Sequence, residues 1–266
     1  MKRIYAGAAA LIAAGLVASA ASAATVVITS SNPQGWSNPV PENSGGGSAA
    51  ITATSPRSGD GSVELFGDRT RWVLGDAPKT IGPVSDLGDL TDFLDLAFEY
   101  RIDPASTSNL GDPQYSPALR LTVWDGGEKS EFVYERAYQT GGYGGAGPLG
   151  TWNATSSSST FYKREVNPLT NTLLNPNEEN DQRTLATWAT DFSANAYVTA
   201  VYVGVGSSVG ANYHAYVDNI SFGGDTYNFE VAGAAVPEPA TWGLMIIGFG
   251  AAGSMIRRRR GVAVAA

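Results

Sequence analysis

Two glutamates on one short strand are the first residues to weigh for chemistry. Glu131 and Glu135 lie in Glu131-Phe132-Val133-Tyr134-Glu135, and an even spacing puts both on one face of a strand. Glycoside hydrolysis needs two carboxyl groups about 5–5.5 Å apart for retention or about 6.5–9.5 Å for inversion. Four strand residues at about 3.3 Å each separate the pair by roughly 13 Å, which suits neither geometry. No E-x-D-x-x-E pattern occurs, and Asp92, Asp95 and Glu99 approach it with the wrong spacing and the wrong first residue. His214 is the sole histidine and so the sole candidate base for a Ser-His-Asp triad. It has no G-x-S-x-G elbow to serve, and its place between Tyr213 and Tyr216 reads as a half-buried strand position. Asp86, Asp89, Asp92 and Asp95 recur every third residue. Calcium favours clustered oxygens, but the run matches no calcium-loop pattern and reads as solvated turn residues leading into a strand. The chain has no cysteine, which excludes thiol catalysis, zinc thiolates and cysteine-attached haem.

Tryptophan suggests binding more than it suggests catalysis. An exposed ring can stack on pyranose C–H groups while polar neighbours orient the hydroxyls. Trp36 lies in a Pro/Asn/Gly loop and Trp152 follows a glycine-rich loop. These two are the candidate ligand-binding rings. Trp124, in an alternating strand, is expected in the core.

The elements that must carry these residues are strands. Thr25 to Ser31, Ala49 to Ser55, Ser62 to Phe66 and Phe93 to Ile102 are short runs separated by turn residues. Ala118 to Trp124 alternates and meets Asp125-Gly126-Gly127, a hairpin signal, with Glu131 to Glu135 as the return strand. Tyr197 to Val205, Tyr213 to Phe222 and Thr226 to Phe229 complete the set, and Leu185 to Phe192 suits a helical turn or a short strand. Pro39 to Gly47, Gly141 to Gly150 and Asn167 to Asp181 read as long loops. Many short strands with such loops predict an all-β fold, an antiparallel two-sheet sandwich of jelly-roll type.

The two ends follow other rules. Lys2 and Arg3 precede an apolar run, Ile4 to Ala18, and Ala21-Ser22-Ala23 is an A-x-A site, so residues 1–23 read as a signal peptide cleaved before Ala24. At the other end, Pro237-Glu238-Pro239 leads through Trp242 into an uncharged stretch, then Arg257, Arg258, Arg259 and Arg260. Residues 240–256 would make a helix of roughly 25 Å, at the short end of what crosses a bilayer. Trp242 would anchor one interface, and the arginines would stay cytoplasmic. The whole segment, 236–266, resembles the PEP-CTERM sorting signal in its Pro-Glu-Pro-x-x-Trp form, with Gly243 where that form usually has Ala. The resemblance implies export across the inner membrane and processing near the motif by the membrane protease-transpeptidase exosortase. It places the protein in the envelope or outside the cell, in an exopolysaccharide setting.

Val217-Asp218-Asn219-Ile220-Ser221-Phe222 and Thr226 to Glu230 carry a second resemblance. They are similar to the closing strands of many exported PEP-CTERM bodies, and to the last strand of jelly-roll carbohydrate-binding modules and legume-lectin-like sandwiches. In those families an Asp of this strand sometimes binds structural calcium. The resemblance therefore implies Asp218 and Asn219 as metal candidates, with calcium as the only cofactor to expect.

Residues 24–235 are left as the body. Removing Lys2, Arg3 and the four terminal arginines leaves 11 basic residues, and removing Glu238 leaves 24 acids, so the body carries about −13. A nucleic-acid binder needs the opposite footprint. An acidic surface suits divalent cations, or neutral rather than anionic glycans. The expectation is an exported, non-catalytic envelope or matrix protein that associates with extracellular polysaccharide. The alternatives are a glycosidase or lyase acting on that polysaccharide, and a coat protein without a ligand.

Overall fold

In the computed structural model the described residues are 24–231 apart from 109–114, 140–147, 176–177 and 207–208, together with Ile246 and Phe249. The signal segment, with Ala21 and Ala23, and the sorting motif, with Trp242 and the arginine cluster, lie outside them. No helix among the described residues is long and apolar enough to cross a membrane.

The chain forms β1 (Ala24–Thr29), β2 (Trp36–Ser37), β3 (Ser48–Thr52), β4 (Ser62–Phe66), β5 (Thr70–Gly75), β6 (Gly88–Asp89) and β7 (Ala97–Ile102). These are followed by β8 (Ala118–Asp125), β9 (Glu128–Tyr134), β10 (Trp152–Ala154), β11 (Tyr162–Val166), β12 (Tyr197–Val205), β13 (His214–Phe222) and β14 (Asp225–Glu230). Two single-turn helices, α1 (Arg136–Gln139) and α2 (Leu185–Trp188), interrupt the strands. Seven strands make each of two sheets. In the first, β13 pairs with β7 on one side and with β4 and β14 on the other, while β3 and β10 flank β4 and β7. The second runs β11-β9-β8-β12-β5-β2, with β6 also on β12. Every pairing is antiparallel except β1 with β14. The chain passes from β4 to β5, β7 to β8 and β12 to β13 by crossing between sheets, as a jelly roll does. The expected two-sheet antiparallel sandwich is the observed one.

Alternation builds the interior. Phe98, Tyr100 and Ile102 of β7 and Ala215 and Val217 of β13 face Leu119, Leu121 and Val123 of β8 and Val201 and Val203 of β12, all in one apolar cluster. On β7 the burial pattern alternates strictly, so one face is packed and the other meets solvent. The β8–β9 hairpin closes at Gly126 and Gly127 with φ of +60° and +91°, the left-handed pair that a two-residue turn requires.

Two sequence expectations need correction. Phe93 belongs to a 3-10 turn that ends before β7 begins, because Leu90 and Phe93 are buried at helical rather than strand spacing. β5, β10 and β11 were not anticipated: Thr70–Gly75 is short and mixes one arginine among apolar residues, and Trp152–Ala154 is only three residues long. Of the two forms expected for Leu185 to Phe192 the helical one is observed, over Leu185–Trp188 and Ala189–Asp191, with Thr184 capping α2 through an N–H from Thr187.

Candidate functional site

The outer face of the second sheet departs from the usual pattern. β8 is buried on both faces over seven of its eight residues. Leu119, Leu121 and Val123 enter the core, so Ala118, Arg120 and Thr122 must point away from it, yet they are also shielded. The same inversion places Arg71 and Val73 of β5, Ala200 and Tyr202 of β12, Glu131 and Val133 of β9, and Tyr162 of β11 on this outer face. A sheet face that is buried but charged is covered by something other than a second core. Segments around Pro78, Ser116, Tyr138, Asn171 and Val209 stand about it and enclose a cleft of about 530 Å³.

The centre of the floor is an ion network. Arg120 Nη1 lies 2.9 Å from Glu131 Oε2 and its Nη2 3.5 Å from Glu135 Oε1. Arg164 Nη1 reaches the same Glu131 oxygen at 3.0 Å, and the Tyr202 hydroxyl donates to the other. The Tyr162 hydroxyl donates to Glu135 at 3.1 Å. Burial works to raise Glu131, but Arg120, Arg164 and Arg71 outweigh it and hold the carboxyl below its ordinary range. Burial likewise works against the charge of Arg120, and Glu131, Tyr162 and Glu135 overcome it. Glu131 is therefore a fixed anion that organises the floor and keeps no proton to give. One guanidinium touches both glutamates, so their carboxylates come nearer than the 13 Å expected from strand rise, because both side chains lean inward to Arg120. A general acid must hold a proton at working pH, and Glu131 does not.

Two further cations have no such partner. The Arg71 residue is 7% exposed, and its Nη1 donates to the carbonyls of Thr70 and Val205. Among the described residues it makes no ion pair. Burial first, then repulsion from Arg120 and Arg69, pushes its guanidinium down to about 9. Lys129 Nζ donates to the carbonyls of Pro78 and Thr80 and to Asn171 Oδ1 at 3.2, 3.3 and 2.7 Å, and burial lowers it as well. Six basic side chains line the cleft against three carboxylates. The acidic net charge of the body thus gives no guide to this surface.

The residues singled out by sequence fall elsewhere. Trp36 is not a loop platform. It is 2% exposed and packs edge-on against Tyr227 and Phe229 of the opposite sheet, because β2 turns its side chain inward. Trp152 is half-buried on β10, away from the cleft. Trp124 is buried, but on the outer face, since Val123 takes the inward position. His214 lies between Glu64, 2.5 Å from Nε2, and Asp103, 3.9 Å from Nδ1, and its ring contacts carboxylates where a triad needs a hydroxyl. Asp86 and Asp95 accept N–H bonds from Gly88 and from Gly223 and Gly224, as turn residues do.

Asp218 and Asn219 sit at a bulge in β13, with Asn219 at φ +49°. Asp218 Oδ1 accepts N–H bonds from Asn219 at 2.8 Å and Phe229 at 3.0 Å, and Oδ2 accepts one from Ser58 at 3.1 Å. Asn219 Nδ2 donates to Ser58 Oγ and Glu99. Calcium wants six to eight oxygens. Here N–H donors surround the carboxylate, and no group of three or more metal-binding acids or histidines gathers among the described residues. As placed, the pair does not fit calcium. Burial, reinforced by the nearby Glu230 charge, pushes Asp218 up to about 7 against its three N–H donors.

Sequence reasoning missed Arg71, Arg120, Lys129, Arg164 and Tyr202. The signal was present as single charges inside apolar strands, at Arg71 between Thr70 and Trp72 and at Arg120 between two leucines.

Fold and cleft together define a β-sandwich with a ligand-sized, charged hollow on one sheet. The tail supplies the rest. Residues 235–260 match the family model of the PEP-CTERM protein-sorting motif, the mark of an exported, transiently membrane-anchored protein sorted by exosortase. No curated protein matches the chain. Among the solved structures the chain is similar to is one from work on the promiscuous specificity of carbohydrate-binding modules of the β-sandwich superfamily. It shares 11% identity at a TM-score of 0.35, over 71% of this chain and 56% of that one. The chain thus spans little more than half the length of that structure, and the likeness is loose.

Proposed function

We propose that the protein is a non-catalytic component of the cell envelope or extracellular matrix that holds extracellular polysaccharide in the cleft on its second sheet. Export begins at the signal segment, and the tail anchors the chain with its arginines in the cytoplasm until exosortase acts near Pro237. The observation that carries the binding role is the shielded, charged outer face of β5, β8, β9 and β12, walled by loops around a volume of sugar-binding size. Tyr138 and Tyr162 supply aromatic surface there, and the guanidinium and carboxylate groups supply fixed hydrogen-bond partners. The two ion pairs that Glu131 makes with Arg120 and Arg164 occupy it as part of the floor, which favours holding a ligand over cleaving one.

The test is affinity electrophoresis of the exported chain, extracted in mild detergent, through gels cast with the producer's exopolysaccharide. Retardation without release of reducing ends is the expected result. Free migration would leave a coat protein with no glycan ligand. Release of reducing ends would return Glu131 and Glu135 to consideration as a catalytic pair.

A further inference from the structure

We infer that the cleft is built for an acidic polysaccharide, with a uronate carboxylate seated on Arg71 and a second anionic residue of the same chain near Lys129. This rests on the cleft being the glycan site and adds the class of glycan.

Arg71 is a buried cation that has no ion-pair partner among the described residues. Its hydrogen bonds go to two main-chain carbonyls through one nitrogen, and Arg120 and Arg164 take the Glu131 carboxylate at the centre of the floor. Burying an unpaired charge is costly, so a side chain held in this way signals a partner that arrives from outside. A guanidinium is also the side chain whose fork matches a carboxylate.

Small residues stand beside Arg71. By register, Arg71 faces Gly204 of β12, and Gly204 faces Ala118 of β8. A Cβ at Gly204 would fall 2.8 Å from Arg71 Cδ and 2.2 Å from the Thr70 carbonyl oxygen. Gly204 therefore gives the Arg71 side chain room to lie against β12, and the next position of the row is only the Ala118 methyl, about one strand spacing further, roughly 5 Å.

Arg71 and Lys129, neither of them ion-paired among the described residues, stand apart. Arg71 shares a row with Ala118, whereas Lys129 pairs with Trp124. Six residues of β8 separate those rows, roughly 20 Å of strand. No single small anion meets both, and a polymer with repeated carboxylates does. Nucleic acid is disfavoured, since its dense phosphates need a broad basic footprint and the cleft interleaves its basic groups with three glutamates.

The experiment compares polygalacturonate with its methyl ester, which keeps the rings and removes the charge. The detergent-extracted exported chain is run against each in affinity gels, beside the producer's exopolysaccharide, with single-stranded DNA as competitor. Expected are binding to the acid and not the ester, and no displacement by DNA. Arg71→Gln should weaken binding roughly ten- to hundredfold, the loss of one charge-assisted contact. Lys129→Gln should weaken it less and lower the slope of log affinity against log salt by up to about 0.7, as for one contact to a single-stranded polyanion. The Lys129 variant and the salt slope of the unaltered protein keep the test decisive if the Arg71 variant does not fold. Equal binding to acid and ester, or displacement by DNA, would overturn the acidic-glycan assignment. So would retention by the producer's polysaccharide alone, which would leave glycan association standing. Loss of binding to every glycan would overturn both readings.

Discussion

Arg120 and Glu131 are joined at 2.9 Å on the side of the sheet that faces away from the core, and both are almost wholly shielded from water. Strand register makes this contact. β8 and β9 pair so that Thr122 lies opposite Glu131 and Val133 opposite Arg120, which sets the two side chains diagonally on one face. Arg164 arrives from β11 directly opposite Glu131. The carboxylate thus collects two guanidinium groups and the Tyr202 hydroxyl.

Removing Glu131 alone should therefore be worse than removing the network. Glu131→Ala leaves the half-buried Arg164 without its carboxylate and the buried Arg120 with only the longer contact to Glu135, and the expected loss is about 3 kcal/mol of unfolding free energy. The double change Arg120→Met with Glu131→Leu should recover much of that stability while still abolishing glycan retention. Urea unfolding of the two variants, followed by tryptophan fluorescence, measures the difference. A single variant as stable as the double one would show that the pair is not a buried strut.

The two ring candidates should separate cleanly. Trp36→Ala removes a ring that is 2% exposed and wedged on Phe229, for an expected cost of about 3–5 kcal/mol. Trp152→Ala, on a half-buried edge strand, should cost well under half as much. Neither ring lines the cleft, so the folded fraction of each variant should keep its glycan affinity. Binding curves normalised to active protein check this.

The architecture was legible because its signals are local. The alternation of Ala118 to Trp124 and the Asp-Gly-Gly turn each lie within a few residues, and both elements stand where the pattern places them. The sorting tail was legible for the same reason. The cleft was not, because it is made by register across five strands and by loops distant in sequence. Arg71 and Arg120 are 49 positions apart, and nothing in either neighbourhood announces the other. Trp36 misled because Pro and Gly around it read as an exposed loop, while a two-residue strand suffices to turn the ring inward.

Changes in the tail should alter where the protein ends up and leave the sandwich intact. Replacing Pro237, Glu238 and Pro239 by alanine removes the motif matched at residues 235–260. The expected outcome is an unprocessed chain that stays with the membrane fraction, with unchanged unfolding behaviour of the body. Replacing the four arginines should loosen that retention, since the charge flank that holds the C-terminus inside is gone. Fractionation and the apparent mass of the exported form report both results. Normal processing of the alanine variant would separate this tail from exosortase.

Asp218 should make stability fall as pH rises through the weakly acidic range. Its folded-state pKa is about 7, against about 3.9 for an unfolded aspartate. Below about pH 4 the group is protonated in both states and contributes no slope. Between about 4 and 7 the folded protein keeps a proton that the unfolded chain has lost, so unfolding releases it and stability declines with rising pH. Above about 7 both states are ionised and the contribution is level at its lowest. Asp218→Asn cannot titrate, and the difference between its pH profile and that of the parent isolates this one group from the other carboxylates. The same profile examines the calcium reading. A cation bound at Asp218 would hold the carboxylate ionised, flatten the decline and raise the thermal midpoint. The donor geometry, with Ser58, Asn219 and Phe229 aiming N–H groups at both oxygens, predicts the same decline in millimolar calcium and in chelator. A midpoint that rises with calcium in the parent and not in Asp218→Asn would establish a metal site in its place.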